Sequence, residues 1–195
     1  MLTLRTIGLL SLFAVAPVGA SAAAADAIPP APDPIACPGG YANTFRLGGA
    51  VRNPKTFTLA ELQSRPTSKI TVSWYSGRDG LVTETYIGVP LLDLITEAEV
   101  ILDPGQRNDI LRQFIVGTAS DCYQTTIALA EILPQFGGEQ VIVAFADGDG
   151  VPLGPDEGMA RLVIPSSKAG GRNIFNLSRI LVRSPGPGPQ SAAAK

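Results

Sequence analysis

Residues 70–94 read ITVSWYSGRDGLVTETYIGVPLLDL, and this stretch decides how the chain folds. Residues 70–75 are rich in β-branched and aromatic side chains and predict a strand. SGRDG at 76–80 is a tight loop, and 81–87 predict the returning strand, so the unit is a hairpin. Gly88, Val89 and Pro90 then break the chain. Beyond them Leu91, Leu92, Leu94 and Ile95 give a helix with one apolar face.

The flanking sequence continues in the same style. Residues 45–51 are strand-like and run into the turn signal Asn53-Pro54. A helix follows, with Thr58 as its cap, Glu61 three residues on completing a capping box, Leu59 and Leu62 on the buried side, and Pro66 as its end. Downstream, 113–119 predict an apolar strand, 120–123 a turn, 124–126 a polar return strand, and 128–133 a short helix ended by Pro134. Residues 141–146 form a continuous apolar run, the mark of a strand buried on both faces. Strands at 161–164 and 178–182 complete a strand-rich α+β domain of mixed sheet with short inserted helices.

The composition bounds what such a domain does. Hydrophobic residues make up 45% of the chain and charged residues 16%, enough apolar side chain for one real core. At the N-terminus Arg5 precedes an apolar run, residues 7–18, that is too short to span a bilayer and leads to the small-x-small signature Ala20-Ser21-Ala22. Residues 1–22 are therefore expected to be a cleaved export signal. With a single arginine ahead of the run there is no twin-Arg pair, so export is expected in the unfolded state, without cofactor, into the periplasm, and without membrane insertion after cleavage. Residues 23–36 and 184–195 are Ala/Pro and Pro/Gly/Ala-rich, a disordered linker and tail around one domain at 37–183. Cleavage removes only Arg5 among charged residues, leaving 14 Lys+Arg against 17 Asp+Glu, a net charge of −3 that argues against nucleic acid.

Two cysteines, Cys37 and Cys122, and no histidine restrict the chemistry further. In an oxidising compartment the cysteines read as one disulfide; the alternative is a buried free thiol at Cys122 and an exposed or intermolecular one at Cys37. Without histidine there is no hydrolase triad, no histidine zinc site and no histidine-ligated haem. The turn Asp147-Gly148-Asp149-Gly150 lacks the glutamate that would complete a calcium loop, since Gly158 stands at the twelfth position. The candidate residues left at loops and strand ends are Trp74, Arg78, Asp121, Tyr123 and Arg161. A planar heterocycle can stack on Trp74 or Tyr123 while Asp121 accepts hydrogen bonds from its ring amine and amide groups. Taken singly, each of these residues is better read as core packing or a surface salt bridge.

The order of the segments resembles the molybdopterin-binding domain of the sulfite oxidase family. The matching pieces are LGGAVRNP (47–54), TLAEL (58–62), YIGVPLLDL (86–94), SDCY (120–123) leading to LAEI (129–132), GVPL (150–153) and RLVIP (161–165). The resemblance implies a sulfite oxidase molybdopterin-domain-like fold. In the enzymes of the family a cysteine upstream of the segment matching 88–91 holds molybdenum. Here 70–84 contain no cysteine, Cys122 stands in a different loop, and the family's cofactor-contacting histidine is missing, although Arg161 matches its arginine. Since a soft thiolate anchors that metal, molybdenum redox catalysis is not expected.

The single-domain form resembles small exported proteins of this fold that bind pterins and pass the signal to a membrane-bound cyclic-di-GMP enzyme controlling biofilm formation. That resemblance implies a pterin ligand, a partner in the periplasmic region of a membrane signalling protein, and a pocket with Trp74, Ser76 and Arg78 on one side, Asp121, Cys122 and Tyr123 on another, and Arg161 at the floor or rim. The alternatives are a molybdopterin-dependent oxidoreductase subunit with Cys122 as metal ligand, and an interaction domain with a vestigial pocket.

Overall fold

The first strands set up a sheet with one wet face. The structure, a computed structural model, describes residues 36–186. The expected export signal, nearly all of the linker and most of the tail lie outside the described residues. Strand β1 (Phe45–Gly49) turns back into β2 (Lys55–Phe57), burying Phe45, Leu47 and Phe57 while Arg46 and Thr56 face solvent. Alternation of this kind marks a sheet with one face on a core. Later strands join it: β5 (Phe114–Ala119), β6 (Gln124–Ala128) and β9 (Leu177–Arg183) give the order β2-β1-β9-β5-β6, in which only β1 and β9 run parallel. This is the mixed sheet expected of an α+β domain.

A second sheet has the order β3-β4-β7-β8, formed by β3 (Ser68–Ser76), β4 (Gly80–Pro90), β7 (Ile142–Asp147) and β8 (Arg161–Val163), all antiparallel. Its centre is the continuous apolar run read from the sequence, and β7 is buried on both faces. Val143 and Phe145 point into the main core, shared with Phe45, Ile115 and Ile180 of the first sheet; Ile142 and Ala144 point the other way, into a smaller cluster with Val72, Trp74, Tyr86 and Val163. The main core thus lies between the sheets, and the smaller one on the outer face of the second.

Three short helices close the main core: α1 (Leu59–Gln63), α2 (Leu91–Ala98) and α3 (Leu129–Ile132), contributing Leu62, Leu91, Leu94, Ile95, Leu129 and Ile132. The Thr58 capping box forms, with the Thr58 amide donating to Glu61 at 2.9 Å. The helix stops before Pro66, at the Ser64 cap, whose hydroxyl donates to the Glu61 carbonyl at 2.9 Å.

One expectation is corrected. Gly88, Val89 and Pro90 do not break the chain but continue β4 along β7, past a register shift between Ile87 and Gly88. A Cβ on Gly88 would sit 2.4 Å from the Val143 carbonyl oxygen, so only glycine lets the two backbones come this close.

These placements separate two kinds of substitution. Ile142→Ala opens a cavity beside Trp74 and is expected to cost about 2–5 kcal/mol and to shift Trp74 fluorescence. Thr58→Ala is expected to cost about 1 kcal/mol and leave the emission unchanged. Denaturant titrations followed by circular dichroism and by emission check both.

Candidate functional site

The hairpin presents two unlike faces because its register is fixed. Trp74 pairs with Val82, Val72 with Glu84 and Ile70 with Tyr86, so these six share one side. The other side carries hydroxyl pairs, Thr71 with Thr85 at 2.8 Å and Ser73 with Thr83 at 2.7 Å. The first side is apolar except for the Glu84 carboxylate. At the far edge of the same sheet Arg161 opens β8 opposite Ala144, a small neighbour, so its long side chain lies over the outer cluster.

Arg161 is 1% exposed. Its Nη1 donates to the Tyr86 hydroxyl and to Glu157 Oε1, and lies 3.8 Å from Glu84 Oε2. Tyr86 in turn donates its hydroxyl proton to Glu84. The guanidinium carbon is 4.0 Å from the ring centroid of Phe175, 4.6 Å from that of Tyr86 and 5.7 Å from that of Trp74. Among the described residues Nε and Nη2 find no hydrogen-bond partner, and both are buried. An unpaired buried donor on a cation is costly, about 1–3 kcal/mol or more, so a group of this kind points to a site built for an incoming acceptor.

Burial pulls the Arg161 guanidinium below the usual arginine range, and the Glu157 and Glu84 carboxylates push it back up; it stays a cation. Glu84 moves upward, first because it is desolvated and further because Glu157 is near, while Arg161 pulls it down. With 46% of the Glu84 side chain exposed, solvent screens these effects.

Residues 165–176, for which the sequence offered no element, cover this face. The Tyr75 amide donates to the Lys168 carbonyl at 2.8 Å, the Ile164 amide donates to the Asn173 side chain at 2.9 Å, and Arg172 pairs with Glu131 at 3.2 Å. The short 3-10 turn Gly170–Arg172 lies against the edge of Trp74, where a Cβ on Gly170 would be 2.8 Å from Cδ1.

Two clefts result. One, of about 370 Å³, has Trp74, Ser76, Asp79, Glu84, Glu157 and Arg161 in its walls; the other, of about 230 Å³, is lined by Asp121, Tyr123 and Asn173. Gly170, Gly171 and Phe175 border both.

The expected site residues are therefore only partly brought together. Trp74 and Arg161 meet, with Arg161 at the floor. Ser76 reaches the first cleft, but its hydroxyl closes the hairpin loop, donating to Asp79 at 3.0 Å and accepting from the amides of Arg78 and Asp79. Arg78 is corrected: it stands exposed at the tip of that turn and lines neither cleft. Asp121 and Tyr123 line the second cleft, with the Tyr123 hydroxyl donating to the Gly171 carbonyl. Cys122 is disulfide-bonded to Cys37, their Cα atoms 5.3 Å apart, and has no thiolate to offer a metal. Among the described residues no group of three or more His, Cys, Asp or Glu side chains is arranged to hold a metal ion. Glu84, Tyr86, Glu157, Gly170 and Phe175 escaped the sequence reading. For Glu84 and Tyr86 the signal was there, since 82, 84 and 86 alternate with Thr83 and Thr85. Glu157 and Phe175 lie in irregular segments and reach the site only through tertiary contacts.

Two outcomes follow. Gly170→Val is expected to displace the indole and red-shift the emission of the single tryptophan. Glu84 has a raised folded-state pKa, so its favourable contribution is present at low pH and lost as pH rises through that value. The stability of the wild type relative to Glu84→Gln is therefore expected to fall as pH is raised from about 4 to about 7, as read from denaturation midpoints.

The family model of the oxidoreductase molybdopterin binding domain matches residues 38–185. Among solved structures, the sulfane dehydrogenase SoxCD from Paracoccus pantotrophus is similar, with a TM-score of 0.58 at 21% identity over 71% of this chain. The match covers 37% of the SoxCD chain, so this protein spans well under half of it, and the likeness is one of fold. The sulfite oxidase molybdopterin-domain-like arrangement expected from the sequence is the one found. No curated protein sequence matches the chain.

Proposed function

Because this chain belongs to the oxidoreductase molybdopterin-binding domain family, we propose that it is a pterin receptor that works without the metal. The observation that carries this reading is a buried Arg161 whose Nε and Nη2 lack partners, at the floor of an aromatic cleft. The cofactor that names the family joins a pterin to molybdenum. A flat heterocycle suits this cleft: Trp74 offers a ring to stack on, Arg161 offers donors to a ring carbonyl or nitrogen, and Glu84 and Glu157 can accept from ring amine and amide groups. The metal half finds a poorer donor set. Both cysteines of the chain are bonded to each other, and there is no histidine.

In this proposal the protein acts in the periplasm and reports pterin occupancy to the periplasmic region of a membrane-bound cyclic-di-GMP enzyme. The sequence resemblance to small exported pterin-binding proteins supports that part. Occupancy can be reported only if the ligand binds the free and partner-bound forms with different affinity.

The test is calorimetry with neopterin on protein purified from its native compartment, together with molybdenum analysis. Neopterin is expected to bind without stoichiometric molybdenum, and Arg161→Lys to weaken binding about 10–100-fold, since a lysine cannot reproduce the two-donor edge. Asp79, Glu84 and Glu157 outnumber Arg161 in the cleft walls, so neopterin monophosphate is expected to bind about tenfold more weakly. The second reading, a molybdopterin-dependent oxidoreductase subunit, is favoured by family membership itself. Stoichiometric molybdenum in the purified protein would establish it in place of the receptor.

A further inference from the structure

Of the three residues that border both clefts, Gly170, Gly171 and Phe175, only Phe175 carries a side chain. It is 44% exposed, it borders both cavities, and its ring centroid lies 4.0 Å from the Arg161 guanidinium carbon. The donors that would meet a ligand are closed off, because Nε and Nη2 of Arg161 have neither a partner nor solvent. A ligand that uses this edge has to displace something.

The backbone around Phe175 is pinned. Ile174 exchanges two hydrogen bonds with Leu162, at 2.9 and 3.0 Å, and the Asn176 amide donates to the Glu157 carbonyl at 2.7 Å. The Tyr86 and Trp74 rings on Arg161 are buried in the sheet. Of the three aromatic rings over the guanidinium, Phe175 alone stands half in water, so of the three it has the least packing to break in turning about its side-chain bonds. Such rotations are fast.

We propose that Phe175 is a gate: in the free protein its ring holds the place of the ligand over Arg161, and on binding it swings out. A planar heterocycle with a carbonyl and an adjacent ring nitrogen along one edge then pairs with Nε and Nη2, and the cavities of about 370 and 230 Å³ join into one site. The choice of ligand rests on the pterin reading above, whereas the gate itself does not. Closing costs affinity, because the binding-competent form is only a fraction of the population. The aromatic ring offsets its own exposure by its contact with the cation.

The experiment has a ligand-free arm and a ligand arm. Wild type, Phe175→Ala and Phe175→Leu are treated with phenylglyoxal, and modification at Arg161 is followed by mass spectrometry; circular dichroism and the Trp74 emission verify folding. Arg161 is expected to be protected in the wild type and to react at least about fivefold faster in Phe175→Ala, with Phe175→Leu between them. Equal protection in folded Phe175→Ala and Phe175→Leu overturns the gate, since other residues then shut the edge. In stopped-flow mixing with neopterin, Phe175→Ala is expected to associate several-fold faster than wild type. Slower association together with a large loss of affinity overturns the gate by making Phe175 a fixed wall. Absence of neopterin binding in all three proteins, with the labelling pattern as expected, sinks the pterin reading and leaves the gate standing.

Discussion

A guanidinium that is almost wholly buried and bonded through only one of its nitrogens is the constraint around which this domain is arranged. Moving a cation out of water is expensive unless it is paired, and each nearby element offsets part of that cost. Glu157 and Glu84 provide negative charge, Tyr86 a hydroxyl acceptor, and three rings an electron-rich surface. The pairing is one-sided. A purely structural arginine would be expected to spend all its donors, and a Leu or Met at this place would pack on Val72, Ile142 and Val163 with less penalty. That Nε and Nη2 remain unspent is why we read the cluster as a site rather than as core.

The outer face of the second sheet can hold such a group because the sheet is clad on both sides. Its inner face is committed to the main core through Val89, Val143, Phe145 and Leu162, which makes the outer face a shelf of fixed shape. The hairpin carries Trp74, Glu84 and Tyr86 to the shelf in one register, and β8 brings Arg161. The cover segment 165–176 then turns the shelf into a cleft. It approaches so closely that glycine is required at 170, where the backbone rests on the indole edge.

Legibility in the sequence followed periodicity. The apolar run at 141–146, the capping box at Thr58 and the hairpin at 70–87 all depend on neighbours in the chain, and the structure has each of them. Arg161 could be singled out because it begins a short apolar strand. The end of β4 misled, since Gly88 and Pro90 usually interrupt strands; here the glycine allows close approach to β7 and the proline sits at the strand's last position. Arg78 misled for a related reason: proximity in sequence to Trp74 does not survive a turn whose geometry is set by Ser76 and Asp79. Phe175 and Glu157 were invisible because irregular segments carry no period, and only the folded chain brings them to the guanidinium.

Asn176 ties the clefts to the N-terminal arm. Its backbone φ is +48°, a conformation asparagine tolerates better than most residues. Its amide donates to the carbonyl of Glu157, whose side chain pairs with Arg161; its own carbonyl accepts from the Ser120 amide at 2.9 Å; and its side-chain oxygen accepts from the Ala42 amide at 3.2 Å. Gly39 and Gly40 bond to Ser120 on the same turn that Cys122 joins covalently to Cys37. One residue therefore meets the arm, the turn bearing Asp121 and Tyr123, and the two segments bearing Glu157 and Phe175. Asn176 thus pins the chain beside Phe175 to the disulfide-linked arm.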